Sequence, residues 1–244
     1  MRLRDPLDLT VRRIDDSELY LRDCARLAEL FFANDVSSRG PESYDAWAEH
    51  SDPERIAQAD INVLNKTFRA MIMKLSEWED LYTEETPPWL AALDQDWDLV
   101  TTPPEVWEEA DIPGKIKTAI GAIIEARPEG VAQATKLLHM KRRHLVPVVD
   151  YVKRAVHGQL SDTAAKPRRG AQATVIIEHL RAEGRRLRPQ LEAIQGHLAV
   201  AEIPVHRSLA RILDVLLWTS EDPGWKAIGE MLVRYREKDT ANYG

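Results

Sequence analysis

The stretch Gly130–His157, GVAQATKLLHMKRRHLVPVVDYVKRAVH, contains the pattern that decides the fold. Apolar residues recur at the three- and four-residue spacing of a helix on both sides of a basic elbow, which runs from Lys141 to His144. Pro147 suits the first turn of a helix, because its missing N–H would be unpaired there in any case. The pattern predicts a turn, a helix, the basic elbow and a second helix that begins at Pro147.

Asp150 falls in the first turn of that predicted second helix. A carboxylate is stabilised there by the unpaired backbone N–H groups and by the positive end of the helix dipole. The residue therefore has two interpretations. It is either a helix-terminus stabiliser or a carboxylate held rigidly beside a basic surface suited to phosphate.

Helical periodicity continues on both sides of this stretch. Asp15, Asp16 and Ser17 can cap a helix that runs to about Ala33, followed by a loop over residues 34–41. Other apolar stripes predict helices over residues 115–126, 171–184, 189–198, 204–218 and 225–236, and residues 159–170 suggest a surface loop. The strand signal is limited to a weak alternation at residues 7–11. We predict an all-α fold, a globular bundle of roughly ten helices.

The chain of 244 residues is long enough for one large or two small domains. We predict an acidic helical region over residues 1–112 and a helical region with the basic segment over residues 113–244, or one continuous domain. No run of about 18 apolar residues and no apolar signal core occur, so we expect a cytoplasmic protein that does not bind membranes. The single cysteine, Cys24, excludes an internal disulfide, and we expect no metal and no cofactor.

Charge is distributed unevenly along the chain. The segment Lys136–Arg188 holds 13 Lys and Arg against 4 Asp and Glu, although the whole chain has a net charge of −7. This concentration indicates one surface for a polyanion, or else charges spread over solvated helix faces that pair with the acidic remainder. There is no glycine-rich nucleotide loop, so nucleotide hydrolysis and hydride transfer are unsupported.

One resemblance covers most of the chain. The segment TKLLHMKRRHLVPVVD, with the later SLARILDVLLW, is similar to a bacterial family of unknown function. Members of that family carry a KLL…KRPRL(I/V)PV.D segment and a late LR.LDV..W helix. This likeness implies a family but no activity.

A second, local resemblance is to the helix-hairpin-helix DNA glycosylases, which have a G-V-G hairpin before a helix and then a VPVD segment with the essential aspartate. Gly130-Val131-Ala132 resembles the hairpin, and VPVVD at residues 146–150 resembles the aspartate segment. Ala132 stands where the family has its second glycine. The resemblance implies that Asp150 is the catalytic carboxylate and that Lys136 is the counterpart of a lyase-type lysine. The histidines of the segment, His139 and His144, are then candidates for proton transfer.

The same resemblance implies a nucleic-acid surface, with DNA favoured over RNA. The hairpin N–H groups at Gly130 would bind a backbone phosphate, as helix N-termini do. The cations that would neutralise neighbouring phosphates are Lys141, Arg142, Arg143, Lys153, Arg154, Lys166, Arg168 and Arg169. Asp150 would stabilise the positive charge that builds on the sugar when an extruded base departs.

Three functions follow from these patterns. The first is a monofunctional base-excision enzyme that uses Asp150. The second is a non-catalytic nucleic-acid-binding module, which the alanine at position 132 favours. The third is a helical protein-interaction scaffold without nucleic-acid activity, in which residues 76–111 and 205–218 contact partners. In that case the basic face of one protomer could join the acidic face of another in a homo-oligomer.

Overall fold

A computed structural model describes residues 7–39, 44–68, 85–126, 131–150, 152–158, 169–203 and 207–242. Within these residues the chain forms twelve helices and one two-stranded sheet, which confirms the all-α prediction. The strands are β1 (Leu9–Arg12) and β2 (Glu18–Leu21). The helices are α1 (Cys24–Arg39), α2 (Tyr44–His50), α3 (Gln58–Phe68), α4 (Pro88–Ala91), α5 (Pro104–Glu109), α6 (Ile112–Ala126), α7 (Val131–Lys141), α8 (Val152–His157), α9 (Arg169–Arg186), α10 (Arg188–Val200), α11 (Leu209–Glu221) and α12 (Pro223–Asn242).

The N-terminal part differs from the sequence prediction. Asp15 and Ser17 form the turn of an antiparallel β1–β2 hairpin instead of capping a helix, with the backbone N–H of Ser17 donating to Asp15 Oδ1 at 3.1 Å. Asp16 has a φ of 62°, a left-handed conformation that aspartate tolerates. The first helix therefore begins at Cys24, and α1 continues to Arg39 through most of the predicted loop.

The helices predicted from apolar stripes in the second half are confirmed as α6, α9, α10, α11 and α12. The prediction that a helix begins at Pro147 is wrong. Residues 146–149 belong to no helix or strand, and α8 begins at Val152. Most of the predicted loop at residues 159–170 lies outside the described residues.

Helix α11 is the centre of the molecule. Every residue from Leu209 to Leu217 is buried, and the helix packs against α1, α8, α9, α10 and α12. Ser208 caps it by accepting a hydrogen bond from the backbone N–H of Arg211 at 3.1 Å. Burial of each large apolar side chain contributes about 1.5–3 kcal/mol, so this helix fixes the positions of its neighbours.

Helix α7 is the second buried element. All its residues from Ala134 to Lys141 are buried, and it packs against α2, α3, α6 and α9. A tight elbow at the end of α7 is followed by residues 146–149 and then by α8. Helix α8 packs on α11. Apolar side chains from both predicted regions join one core, and the proposed division at residue 112 stays a prediction. No described helix is both long and apolar enough to cross a membrane.

Candidate active site

The structure brings two of the predicted catalytic residues into contact. Lys136 lies on α7, and its Nζ donates a hydrogen bond to Oδ2 of Asp150 at 2.9 Å. Asp150 follows the segment of residues 146–149. The lysine side chain is 4% exposed and the aspartate side chain is 32% exposed. Burial lowers the pKa of Lys136, although the Asp150 charge opposes that shift. The pair is thus a buried amine that holds a carboxylate with access to solvent.

Three hydrogen bonds fix the backbone that carries Asp150. The N–H of Val148 donates to Asp214 Oδ2 at 2.9 Å, and the N–H of Val149 donates to Thr135 Oγ1 at 3.1 Å. The carbonyl of Val146 accepts from His139 Nδ1 at 2.7 Å. Bonds of this kind from surrounding groups hold a reactive side chain in one geometry.

His139 occupies a different position from the one predicted. Its ring is buried and stacks on Tyr44, with the ring centroids 5.6 Å apart. Burial, reinforced by the nearby Arg211 charge, lowers the pKa of His139 to about 3. A carbonyl can only accept, so Nδ1 carries the proton of a neutral ring. The buried His139 ring supports the Val146 carbonyl, and this enclosed position does not suit the predicted role in proton transfer.

A buried charge cluster lies behind the pair. Arg211 of α11 donates to both oxygens of Asp45, from Nε at 2.8 Å and from Nη2 at 3.1 Å. Its Nη1 donates to Asp214 Oδ1 at 2.8 Å. All three residues are buried, and such clusters require every charge to be paired because the interior does not solvate ions. The cluster joins α2, α11 and the Asp150 segment.

The main chain of Lys136 is also bonded to a residue beside this cluster. The hydroxyl of Tyr44, next to Asp45 on α2, donates to the carbonyl of Lys136 at 2.7 Å. The Arg211 guanidinium lies 5.5 Å from the centroid of the Tyr44 ring. Both members of the Lys136–Asp150 pair are therefore tied to one buried polar network.

Two cations that the sequence assigned to phosphate binding are structural. Lys141 Nζ is buried and donates to Asp60 Oδ2 at 2.7 Å and to Ser51 Oγ at 2.6 Å. Arg142 is also buried and donates to several backbone carbonyls, among them that of Leu90 at 2.9 Å. Side chains enclosed and paired in this way cannot reach a phosphate, so the prediction for both is corrected.

Among the other predicted cations with a described side chain, Arg154 on α8 is exposed and Arg143 is 34% exposed, with Nη1 3.9 Å from Glu49 Oε1. His144, at the elbow, lies 3.9 Å from Asp98. The remaining predicted contacts, Gly130, Lys153, Lys166, Arg168 and Arg169, fall on residues or side chains outside the described part of the structure.

Sequence reasoning missed most of the supporting network. Arg211 and Asp214 did carry a signal, since two charges interrupt the otherwise apolar stripe of α11, but their spacing of three residues indicated only local helix support. Asp45 and Tyr44 carried no signal, because their partners lie far away in the sequence.

An open groove of about 690 Å³ lies elsewhere, lined by Glu54, Trp97, Lys115 and Arg142 among others. Neither Lys136 nor Asp150 contributes to it, and two further aspartates on its wall make it unsuited to phosphate. In the described residues, no three His, Cys, Asp or Glu side chains are grouped as a metal site.

Comparison with known proteins identifies a family but no activity. Neither the curated proteins nor the solved structures include a match to this chain, so the helix-hairpin-helix resemblance stays a prediction. A model described as a family of unknown function, DUF6308, matches residues 24–221. This span contains both segments on which membership in such a family was predicted, TKLLHMKRRHLVPVVD and SLARILDVLLW. The chain therefore belongs to DUF6308, a family of unknown function.

Proposed function

We propose that this protein acts on nucleic acid and removes a base from its sugar, with Asp150 as the catalytic carboxylate. The observation that carries the proposal is the Lys136–Asp150 contact of 2.9 Å between an almost fully buried amine and a partly exposed carboxylate. The backbone that carries the carboxylate is held by three hydrogen bonds, from Val148 to Asp214, from Val149 to Thr135 and from His139 to Val146. Rigid support of this kind is expected around a reacting group.

The chemistry follows from the charge that develops at the sugar. As the bond between C1′ and the base nitrogen breaks, the bonding electrons leave with the base and positive charge builds on the sugar. Asp150 stabilises that charge, and its Oδ1 accepts a proton from the water that attacks C1′. The departing base takes a proton from solvent. Lys136 keeps the carboxylate in place through Oδ2.

No nucleophilic step is assigned to Lys136. Its side chain is 4% exposed and its amine is bonded to Asp150, so it is not open to a sugar carbon. Burial lowers the pKa of Lys136, and the charge of Asp150 opposes that shift. Its proposed role is to hold the carboxylate in position.

The exposed Arg154 and the half-buried Arg143 provide the proposed contact with phosphates. Arg154 and Arg143 lie on α8 and on the elbow, the two segments adjoining the stretch that ends at Asp150. Gly130, Lys153, Arg168 and Arg169 are proposed contacts on sequence grounds alone. Duplex DNA is the proposed partner and the cytoplasm the proposed site of action.

The test is a panel of labelled duplexes that carry damaged or modified bases, incubated with protein and then cleaved with alkali. We expect cleavage on at least one duplex, and its loss in Asp150→Asn. The matched control is Asp222→Asn, which removes a helix-capping carboxylate at the start of α12. The catalytic proposal is wrong if no duplex is cleaved or if cleavage survives Asp150→Asn.

A non-catalytic nucleic-acid-binding module is the second candidate. The observation that favours it is Ala132, which replaces a hairpin glycine of the glycosylases that the segment resembles. It predicts binding that weakens with salt and with Arg154→Ala, and that is unchanged by Asp150→Asn. Absence of salt-dependent binding would exclude both candidates and leave the protein-interaction scaffold.

A further inference from the structure

Asp214 has two contacts that both require its ionised form. Its Oδ2 accepts from the N–H of Val148 at 2.9 Å and its Oδ1 accepts from Arg211 Nη1 at 2.8 Å. Both partners are donors, so both oxygens must act as acceptors, and only the ionised carboxylate supplies two acceptors facing outwards. A protonated Asp214 would turn an O–H toward one of these donors and lose that hydrogen bond.

The two carboxylates of the cluster differ in their contacts with Arg211. Asp45 receives two hydrogen bonds from Arg211, whereas Asp214 receives one. Arg211, with a further contribution from Arg207, lowers the pKa of Asp45 to about 2 against the effect of its burial. Burial dominates at Asp214, aided by the Asp45 charge, and raises its pKa to about 7.

The other titratable groups around α11 do not remove this difference between Asp45 and Asp214. On α2 and α7 the groups near the cluster are Tyr44, Lys136 and His139, and on α8 Arg154 is exposed and His157 is half-buried. On α12, which also packs against α11, Lys226, Glu230 and Arg234 are exposed. On α1, α9 and α10 several charged groups near α11 are paired. These pairs are Glu29 with His197, Arg181 with the carbonyls of Leu99 and Thr102, and Glu183 with Arg186.

Protonation of Asp214 would affect the backbone segment that carries the proposed catalytic carboxylate. Val148 lies two residues before Asp150. Of the three named hydrogen bonds that hold the backbone of the segment, the bond from the Val148 N–H is the one with a carboxylate acceptor. The other two bonds, from Val149 to Thr135 and from His139 to Val146, involve a hydroxyl and a neutral ring.

We propose that Asp214 is a positioning residue for Asp150 that holds the Val148 N–H only while it is ionised, so that acidification loosens the 146–150 segment at that point and lowers the activity of the site. The regulatory part rests on the proposed function of Asp150. The conformational part can be measured without any activity.

The test is amide hydrogen exchange of the full chain between about pH 8.5 and about pH 5.5, corrected for the intrinsic pH dependence of exchange. We expect the protection of the Val148 N–H to fall by about tenfold or more on acidification, the loss expected for a hydrogen bond to a charged group. Amides inside α11 report global unfolding and should keep their protection. The carboxyl ¹³C signal of Asp214 should titrate with the same midpoint.

The variant Asp214→Asn cannot offer two acceptors, so Val148 should exchange rapidly at every pH. The control Asp222→Asn should behave like the wild type. If Asp214→Asn does not fold, the wild-type titration decides alone. Protection of Val148 that is independent of pH, or an Asp214 carboxyl signal that does not titrate in this range, overturns the proposal.

The outcomes separate the two proposals. If Val148 responds to pH and base removal survives Asp150→Asn, the proposed function fails and the coupling between Asp214 and the segment stands. If base removal requires Asp150 but its pH profile is the same in the wild type and Asp214→Asn, the positioning role fails and the proposed function stands.

Discussion

The buried, neutral His139 should make the folded protein less stable in acid. His139 donates from Nδ1 to the Val146 carbonyl at 2.7 Å, and burial lowers its pKa from the ordinary value of 6.5 to about 3. As the pH falls below 6.5, the unfolded chain takes up a proton at this histidine and the folded chain does not. The stability that His139 contributes is therefore complete above the unfolded pKa and is lost as the pH falls.

The size of the effect follows from the linkage between pKa and stability. Each pH unit well below the unfolded pKa costs about 1.4 kcal/mol, and half of the unfolded chains already carry the proton at the pKa itself, so about 2 kcal/mol is lost between about pH 6.5 and about pH 4.5. Asp214 has the opposite sign, because its raised pKa lets the folded state keep a proton that the unfolded state has lost. The wild-type profile therefore combines opposing contributions, and a comparison with a variant isolates the histidine.

The variant is His139→Asn, whose amide can still donate to the Val146 carbonyl but does not titrate. Urea unfolding at about pH 6.5 and at about pH 4.5 gives the two free energies for each protein. The variant loses the stacking on Tyr44 and should be less stable at the higher pH, by about 1–3 kcal/mol. On acidification it should gain about 2 kcal/mol relative to the wild type.

His50 on α2 is exposed and supplies the control. His50→Asn should follow the wild type at both pH values. If His139→Asn and the wild type change by the same amount, the folded state accepts a proton at this ring as readily as the unfolded state does, and the reasoning about its burial is refuted.

Three substitutions test other parts of the fold. Lys141→Met should lower the free energy of unfolding by about 3–5 kcal/mol in denaturant titrations, because it leaves the buried Asp60 without its cation; a loss below about 1 kcal/mol would contradict the buried pair. Gly121→Ala should raise the melting temperature, since its methyl group would enter open space within α6 and alanine favours helix by about 1 kcal/mol. Gly158→Ala should lower it, because Gly158 has a φ of 65° and a Cβ there would lie 2.3 Å from Asp15 Oδ2. Equal shifts for the two glycines would contradict both assignments.

Local patterns predicted the helices of the second half well, because their apolar periodicity matches the faces that they bury. The same reasoning failed where one set of residues serves two structures. Asp15, Asp16 and Ser17 can cap a helix or form a hairpin turn, and the pairing of β1 with β2 decides between them. Pro147 is typical of a helix start but lies outside any helix. The N–H of the next residue, Val148, donates instead to Asp214, which is 66 residues away in the sequence.

Only two residues of the candidate site were predicted from the sequence and brought into contact by the structure. The resemblance identified Lys136 and Asp150, which the structure brings into contact. Counting charges along the sequence could not distinguish buried cations from exposed ones. Lys141 is neutralised by Asp60, 81 residues away, and no local pattern indicates such a partner.

The central claim is that Asp150 removes a base from nucleic acid. The most direct measurement is mass spectrometry of the free bases released from genomic DNA by the wild type, Asp150→Asn and Asp222→Asn, which requires no prior choice of substrate. We predict a released base with the wild type and with Asp222→Asn, and none above background with Asp150→Asn. No base released by any of the three, or an equal amount released by Asp150→Asn, would contradict the claim.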